Sequence, residues 1–212
     1  MMRFELLRKK LITISENDLP GEESQFKMLP SIRPRISWDE ILDKNPTPAA
    51  VMLLLYPEDD RIMFTLMQRN TYKGAHSAQV SLPGGKLEEG ESYLDAAIRE
   101  THEEIGVDIS LSDVHFALTK VWVAPSKFLV TPYVATLSEK PNFNADEFEV
   151  SELLEVDLNN LLNDDLFVET TVTSSYVNEL TVNAFMLNGK VVWGATAMML
   201  SEFKDLVLKI MK

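Results

Sequence analysis

The apolar positions along the chain follow two periods, and the switches between them outline the elements before any chemistry is considered. Phe4, Leu7, Leu11 and Ile14 recur three and four residues apart, which predicts a first helix with one face packed on the body of the protein. Residues 16 to 35 carry Pro20, Gly21, Pro30 and Pro34 and read as an irregular connection. Two nearly continuous apolar runs follow, AAVMLLLY at 49–56 and RIMFTLMQR at 61–69, on either side of the turn signal PEDD. Such runs predict buried strands. A short run near 78–82 leads into Pro83-Gly84-Gly85. Beyond residue 110, strands are expected at 114–124 and 128–137, a mixed helical stretch at 147–163, and a hairpin through LNGK at 187–190, where Asn188-Gly189 favours a tight turn. The closing segment TAMMLSEFKDLVLKIMK puts Met199, Phe203, Leu206 and Ile210 on one stripe, a final amphipathic helix. Strands interleaved with helices imply an α/β protein of layered sheet and helices.

One helical segment is unusual. In SYLDAAIRETHEEIGV, residues 92–107, Ser92 with Asp95 has the form of a capping box and Gly106 suits the left-handed residue just past a helix end, which leaves roughly 13 helical residues. Leu94, Ile98, Thr101 and Ile105 form one narrow stripe that should face the core, and Glu100, Glu103 and Glu104 line a flank beside it. Like charges three and four apart destabilise a helix. A solvated charged face is the ordinary fate of such residues, so the run needs a further reason.

Composition narrows the reasons. The 212 residues carry a formal charge of -13, and 45% are hydrophobic. That is ample for a core, and it argues against a nucleic-acid binder that covers phosphates with Lys and Arg. There is no cysteine, hence no disulfide, thiol nucleophile or thiolate zinc site. His76, His102 and His115 lack the spacing of a zinc site. The basic residues Arg8, Lys9 and Lys10 interrupt the apolar N-terminal run, unlike a signal peptide. No apolar run approaches the ~20 residues of a membrane span. A cytoplasmic protein without membrane or nucleic-acid partners is expected.

The wider spacing gives the acidic run its meaning. Gly85, five residues, Glu91, seven residues, Arg99-Glu100, two residues, Glu103-Glu104, one residue and Gly106 specify seven positions. Chance would match them in on the order of 1 in 10⁸ windows at ordinary residue usage. This string resembles the Nudix box of hydrolases that cleave nucleoside diphosphates linked to another moiety. The one departure is Thr101, where the family has a bulky aliphatic residue on the core stripe. The resemblance implies a Nudix-type α/β/α sandwich with a mixed sheet over 46–212, to which residues 1–45 add an N-terminal helical arm and linker. It further implies Mg²⁺ or Mn²⁺ as cofactor. Hard divalent cations take oxygen ligands, including one or two carboxylates alongside substrate phosphates and water. Glu100, Glu103 and Glu104 are therefore the expected metal ligands, and bound ions offset their repulsion while lowering the pKa of a water that attacks phosphorus. Arg99 is expected to pair with Glu91, tying the loop to the helix. Gly84 and Gly85 let the backbone approach metal or phosphate closely.

The segment FTLMQRNTYKGAHSAQVSLPGGK at 64–86 resembles the coenzyme A pyrophosphatase branch through Arg69, His76, Gln79 and Pro83-Gly84-Gly85. It departs from it at Asn70, Gly74, Ala78 and Leu82. Arg69, His76, Gln79, Gly84 and Gly85 are the expected substrate-binding residues. KVVWGATAMML at 190–200 resembles the same branch, with Trp193 serving mainly packing. Glu149, before Val150, and Glu103 are rival candidates for the general base, and the catalytic set is Glu103, Glu104, Glu149 and Arg99. The expected reaction is metal-dependent hydrolysis of a substituted nucleoside diphosphate, with CoA or an acyl-CoA favoured and 3′,5′-ADP and 4′-phosphopantetheine the products from CoA. Another pyrophosphatase, acting on a nucleotide sugar, a dinucleotide or a nucleoside triphosphate, is the first competitor. A non-catalytic Nudix domain that senses a nucleotide is the second, although its usual mark, a lost box carboxylate, is missing here. The N-terminal arm is a candidate for packing against a second subunit in a homodimer.

Overall fold

The computed structural model describes residues 3–30, 35–70, 79–174 and 177–212. At its centre lies β1 (Thr47–Glu58), whose residues 49–56 are all buried. Alternation explains why the run is apolar throughout. Ala50, Met52 and Leu54 join one core cluster, while Ala49, Val51, Leu53 and Leu55 join another on the opposite face. A strand covered on both faces reads as a continuous apolar run. One edge of β1 pairs in parallel with β7 (Phe128–Thr136), and the other is shared by β2 (Arg61–Arg69) and β4 (Gly84–Lys86), both antiparallel. β3 (Val80–Ser81) and β8 (Val150–Asp157) extend the sheet beyond β2, and β5 (Val114–Ala117) and β6 (Val121–Val123) pair with β7, giving eight strands in all.

Among the described residues, six α-helices lie around the sheet. α1 (Phe4–Leu11) buries Leu7 and Leu11, as the period predicts. The acidic helix, α4 (Tyr93–Ile105), has 13 residues, with the Ser92 side chain accepting a hydrogen bond from the Asp95 amide and Gly106 left-handed at φ 71°. It packs on the face that carries Ala50, Met52 and Leu54. The final helix, α6 (Gly194–Ile210), packs on the other face. The sandwich with a mixed sheet is therefore present.

Several expectations need correction. The stretch 147–163 is divided between strand and helix: β8 pairs along β2 over 150–157, and only α5 (Leu158–Leu162) is helical. Leu154 and Val156 face one core cluster, whereas Val150, across a register shift in the pairing with β2, joins Leu153 on the other, so no unbroken period of two announces the strand. The run 114–124 divides into β5 and β6, and both add to β7. The 16–35 connection contains α2 (Glu22–Phe26), followed after it by α3 (Trp38–Leu42). Ser24 and Gln25 of α2 are buried polar residues, so no apolar period announces that helix. β9 (Phe167–Ser174), β10 (Val177–Leu187) and β11 (Lys190–Val192) form a second sheet, in which Asn188 and Gly189 take positive φ at the expected hairpin. α6 is buried on nearly every side, because α2 covers the face turned away from the sheet. Its Glu202 is fully buried and accepts hydrogen bonds from Gln25 Nε2 (2.8 Å), Thr119 Oγ1 (2.7 Å) and the amides of Gly21 and Thr119 (both 3.2 Å).

Candidate active site

The turn between β3 and β4 and the C-terminal half of α4 meet at one end of the sheet. The Met52 amide donates to the Pro83 carbonyl at 2.9 Å and the Leu87 amide to the Pro48 carbonyl at 3.2 Å, which holds the Pro83-Gly84-Gly85 turn against β1. Gly84 has φ +144°, and its amide donates to Glu104 Oε2 at 2.7 Å. At Gly85 a Cβ would lie 2.5 Å from the carboxyl carbon of Glu100. Gly85 thus admits the Glu100 carboxylate against backbone, while Gly84 lies against β1 and offers its amide to Glu104.

The three glutamates of the flank are not equivalent. The Glu104 side chain is 1% exposed, Glu100 17% and Glu103 56%. The core stripe is turned from the expected one: Ala97, Thr101 and Glu104 are buried, while Leu94 and Ile98 are only partly covered. Burial pushes the Glu104 carboxyl up to about 8, against the lowering effects of Arg69 and the Gly84 amide. Glu100 is also raised, first by burial and then, against Arg99, by Glu103 and Glu149.

Two arginines share the negative charge. Arg99 grips Glu91 in a fork, Nε to Oε1 at 2.8 Å and Nη2 to Oε2 at 3.0 Å, which is the expected tie of loop to helix. Its Nη1 also donates to Glu100 Oε1 at 2.9 Å and to Glu103 Oε2 at 2.8 Å, the latter one helical turn on. Glu91 is lowered from the ordinary carboxylate value, chiefly by Arg99, and Arg99 is raised chiefly by Glu91. Arg69, at the end of β2, lies 3.0 Å from Glu104 Oε1 and 3.8 Å from Glu149 Oε2. The loop that carries Glu149 is fixed to the end of α4, where the Asn144 and Asp146 amides donate to the carbonyls of Ile105 and Glu104, both at 2.9 Å. Arg69, Glu149, Glu104, Glu100, Glu103 and Arg99 are thereby brought into one linked cluster. His76, together with Lys73, Gly74 and Ala78, lies outside the described residues.

As the side chains stand, no three carboxylates or imidazoles among the described residues gather round a common point. The arginines occupy the space between them. The donor set nonetheless fits a hard divalent cation: Glu104 Oε1 is sealed from solvent and is met by the Arg69 guanidinium at 3.0 Å without accepting a hydrogen bond, and burial raises two of the three carboxyls, so a cation would relieve both.

A cavity of about 670 Å³ opens beside this cluster, with Arg69, Gln79, Gly84, Gly85 and Glu100 at one end. The rest of its lining comes from Met28 after α2, Trp122 of β6 and the start of α6. Sequence reasoning missed this chamber because its walls come from four distant segments, each of which reads locally as ordinary core.

Residues 46–171 match the family described as the NUDIX domain. The chain belongs to that family, whose members related to it are Nudix hydrolases. Among these, Nudix hydrolase 15, mitochondrial, of Arabidopsis thaliana is 39% identical over 101 residues, which cover 47% of this chain and 35% of the plant protein. Mitochondrial coenzyme A diphosphatase NUDT8 of Mus musculus is 28% identical over 179 residues, 80% of each chain. The crystal structure of a MutT/nudix family protein from Enterococcus faecalis superposes with a TM-score of 0.53 at 19% identity, covering 90% of this chain and 78% of that one, and bears out the fold. Among the described residues, no helix is long and apolar enough to cross a membrane.

Proposed function

We propose that the chain hydrolyses the diphosphate bond of coenzyme A or an acyl-CoA, releasing 3′,5′-ADP and 4′-phosphopantetheine or its acylated form. The observation that carries this reading is the cluster of Glu100, Glu103 and Glu104 with Arg69 and Arg99, of which Arg69 and Glu100 line a chamber. The coenzyme A choice draws on the 64–86 segment and on the mouse relative, which aligns over 80% of both chains.

Glu100, Glu103 and Glu104 would hold Mg²⁺ or Mn²⁺. A cation bound there supplies Lewis acidity and lowers the pKa of water near the phosphorus. The remaining work falls to the chain itself. Water adds across the P–O–P bridge, one phosphoryl group gaining its hydroxyl and the other leaving as phosphate monoester. Glu149, 55% exposed at the edge of the cluster, or Glu103 takes the proton from that water. Both have the access to solvent that Glu104 lacks. Arg69 keeps Glu104 and Glu149 from repelling one another. Arg99, clamped to Glu91, holds the β4 loop on α4. Gln79, whose carbonyl accepts from the Arg69 amide at 3.0 Å, and His76 are assigned to substrate.

Purified protein supplied with Mg²⁺ or Mn²⁺ and either CoA or ADP-ribose tests this, with products separated by chromatography. Release of 3′,5′-ADP from CoA at higher kcat/KM than cleavage of ADP-ribose is the expected result. Faster cleavage of ADP-ribose would move the chain to another branch of the family. A cytoplasmic location is part of the proposal, and subcellular fractionation of the tagged full-length protein checks it.

A further inference from the structure

Among the described residues, the edge strands other than β9 are short or tied to neighbouring chain. β3, β4, β5, β6 and β11 have two to four residues each. β8 is held to the β10–β11 turn, where Asn188 Nδ2 donates to the Glu155 carbonyl at 2.8 Å and Lys190 Nζ meets Glu152 at 2.6 Å. β9 runs for eight residues and pairs along one edge only, with β10. No hydrogen bond from elsewhere in the described chain reaches the backbone of 167–172. An open edge is a template for another strand, and chains that stay apart protect theirs with lysine, proline or brevity. FVETTVTS has neither Lys nor Pro, and Glu169 is its sole charge.

The side chains of β9 divide by face. Val168, Thr170 and Val172 stand opposite Ala184, Val182 and Leu180 of β10. On this face Leu180, Val182 and Ala184 form a small buried cluster, while Val168 and Val172 at its border are only partly buried. Phe167, Glu169 and Thr171 are exposed on the other face.

The strand is complementary to itself. Antiparallel pairing about a twofold axis at Thr170 keeps each face on its own side and sets Thr170 opposite its own copy. Val168 then meets the partner's Val172, which carries the half-covered cluster across the seam, and Glu169 meets the partner's Thr171. Threonine pairs favour such a seam and directly opposed like charges do not. An axis at Glu169 would oppose the two carboxylates, and an axis at Thr171 would set valine against threonine.

We propose that β9 is the seam of a homodimer, in which two copies pair antiparallel about Thr170 and their three-stranded sheets join into one. The second subunit expected at the N-terminal arm is placed at β9 instead. Each copy carries a net charge of -13, so the copies repel at long range, and salt that screens the repulsion tightens the dimer.

Sedimentation velocity of the full chain over a range of protein concentrations, at low and at physiological salt, tests this. Wild type should pass from monomer to dimer as concentration rises, and sooner in the higher salt. Thr171→Glu puts a carboxylate opposite the partner's Glu169, twice per dimer, and should weaken association about tenfold, whereas Thr171→Lys puts an ammonium there and should tighten it about tenfold. The opposite signs separate this register from a general effect of charging an edge, because lysine on an open edge otherwise keeps strands apart. Thr171 is exposed, so both variants should fold. Should either fail to, hydrogen exchange of the wild type decides: amides within 167–172 should exchange more slowly as concentration rises, and exchange that ignores concentration overturns the seam. A monomer at every concentration, a dimer indifferent to both substitutions, or weakening by both, overturns it as well.

Discussion

Gly84 and Gly85 are adjacent, yet alanine at each should fail in a different way. At Gly84, φ is +144°, and a Cβ would meet the Ala50 carbonyl oxygen at 2.3 Å and Val51 Cα at 2.5 Å. Both are backbone atoms of the central strand and cannot yield. Strain in a glycine-only region costs about 1–3 kcal/mol and overpacking typically another 1–3 kcal/mol, so Gly84→Ala should lose about 4 kcal/mol. For a chain of this size roughly 2–4 °C accompanies each kcal/mol, which gives a Tm lower by about 8–16 °C. At Gly85 the three atoms nearest the Cβ all belong to the Glu100 carboxylate, at 2.5–2.6 Å. That group ends a flexible side chain and can swing away, so the stability loss should stay under about 1 kcal/mol. The displacement needed to restore ordinary contact is about 1 Å, and misplacement of that size in a catalytic array can lower turnover on the order of 10²-fold. Thermal melts, Mn²⁺ binding by electron paramagnetic resonance, and CoA turnover on both variants complete the comparison. If Gly85→Ala bound Mn²⁺ and turned over like wild type, the placement of Glu100 as a ligand held against the glycine would be refuted.

Further outcomes follow from the burial of individual side chains. Glu103→Gln and Glu104→Gln should each lower CoA turnover at least ~100-fold, and cation-free Glu104→Gln should melt no lower than wild type, because an amide still accepts from the Gly84 amide without a charge to desolvate; a cooperative melt beside the rate assay checks both. Glu202→Ala deprives four donors of their acceptor, and at roughly 1–3 kcal/mol per orphaned buried group the loss should reach about 3 kcal/mol or more, seen as a lower Tm and faster proteolysis within residues 19–30. His115 bonds Thr136 Oγ1 at 2.7 Å, and burial followed by Arg8 holds its imidazole below the usual value, against Asp113. Its folded pKa is thus below its unfolded one: the stability it contributes is complete above about 6.5, and it is lost as pH falls through the folded value. His115→Gln should flatten the decline in Tm just below pH 6.5, and an unchanged slope would count against this assignment.

How much of this was legible in the chain differs by element. α4 was readable to the residue because both ends carry their own signals, Ser92 at the start and a left-handed Gly106 at the end. β1 and β2 were readable because burial on both faces leaves their runs apolar but for the buried Thr65 of β2. β8 was not, since its strand state is set by pairing with β2 and its Leu153-Leu154 pair suits either period. α2 was invisible because it is held by Gln25, Ser24 and the buried Glu202, polar contacts that resemble a loop composition. In the site, box spacing announced the carboxylates and the Arg99–Glu91 tie. Arg99 also reaches Glu103, four residues on and so a helical neighbour, and the adjacent Glu100, a contact that depends on the side-chain fork and not on a period.

The placement of the carboxylates is against the interests of the helix on three separate counts. Glu100, Glu103 and Glu104 repel one another at short helical spacing. Glu103 and Glu104 lie in the last turn of α4, which ends at Ile105, where the macrodipole favours cations. Glu104 is moreover withdrawn from water, which raises its carboxyl to about 8. Arg69 and Arg99 lessen the repulsion, but Arg99 is already committed to Glu91, and the flank it serves holds more negative than positive charge. Folding alone would be better served by neutral residues at these positions. The proposed divalent cation would account for carboxylates so placed beside Gly85, where a Cβ would meet Glu100, and a protein of net charge -13 would gain with it a local means of holding a diphosphate.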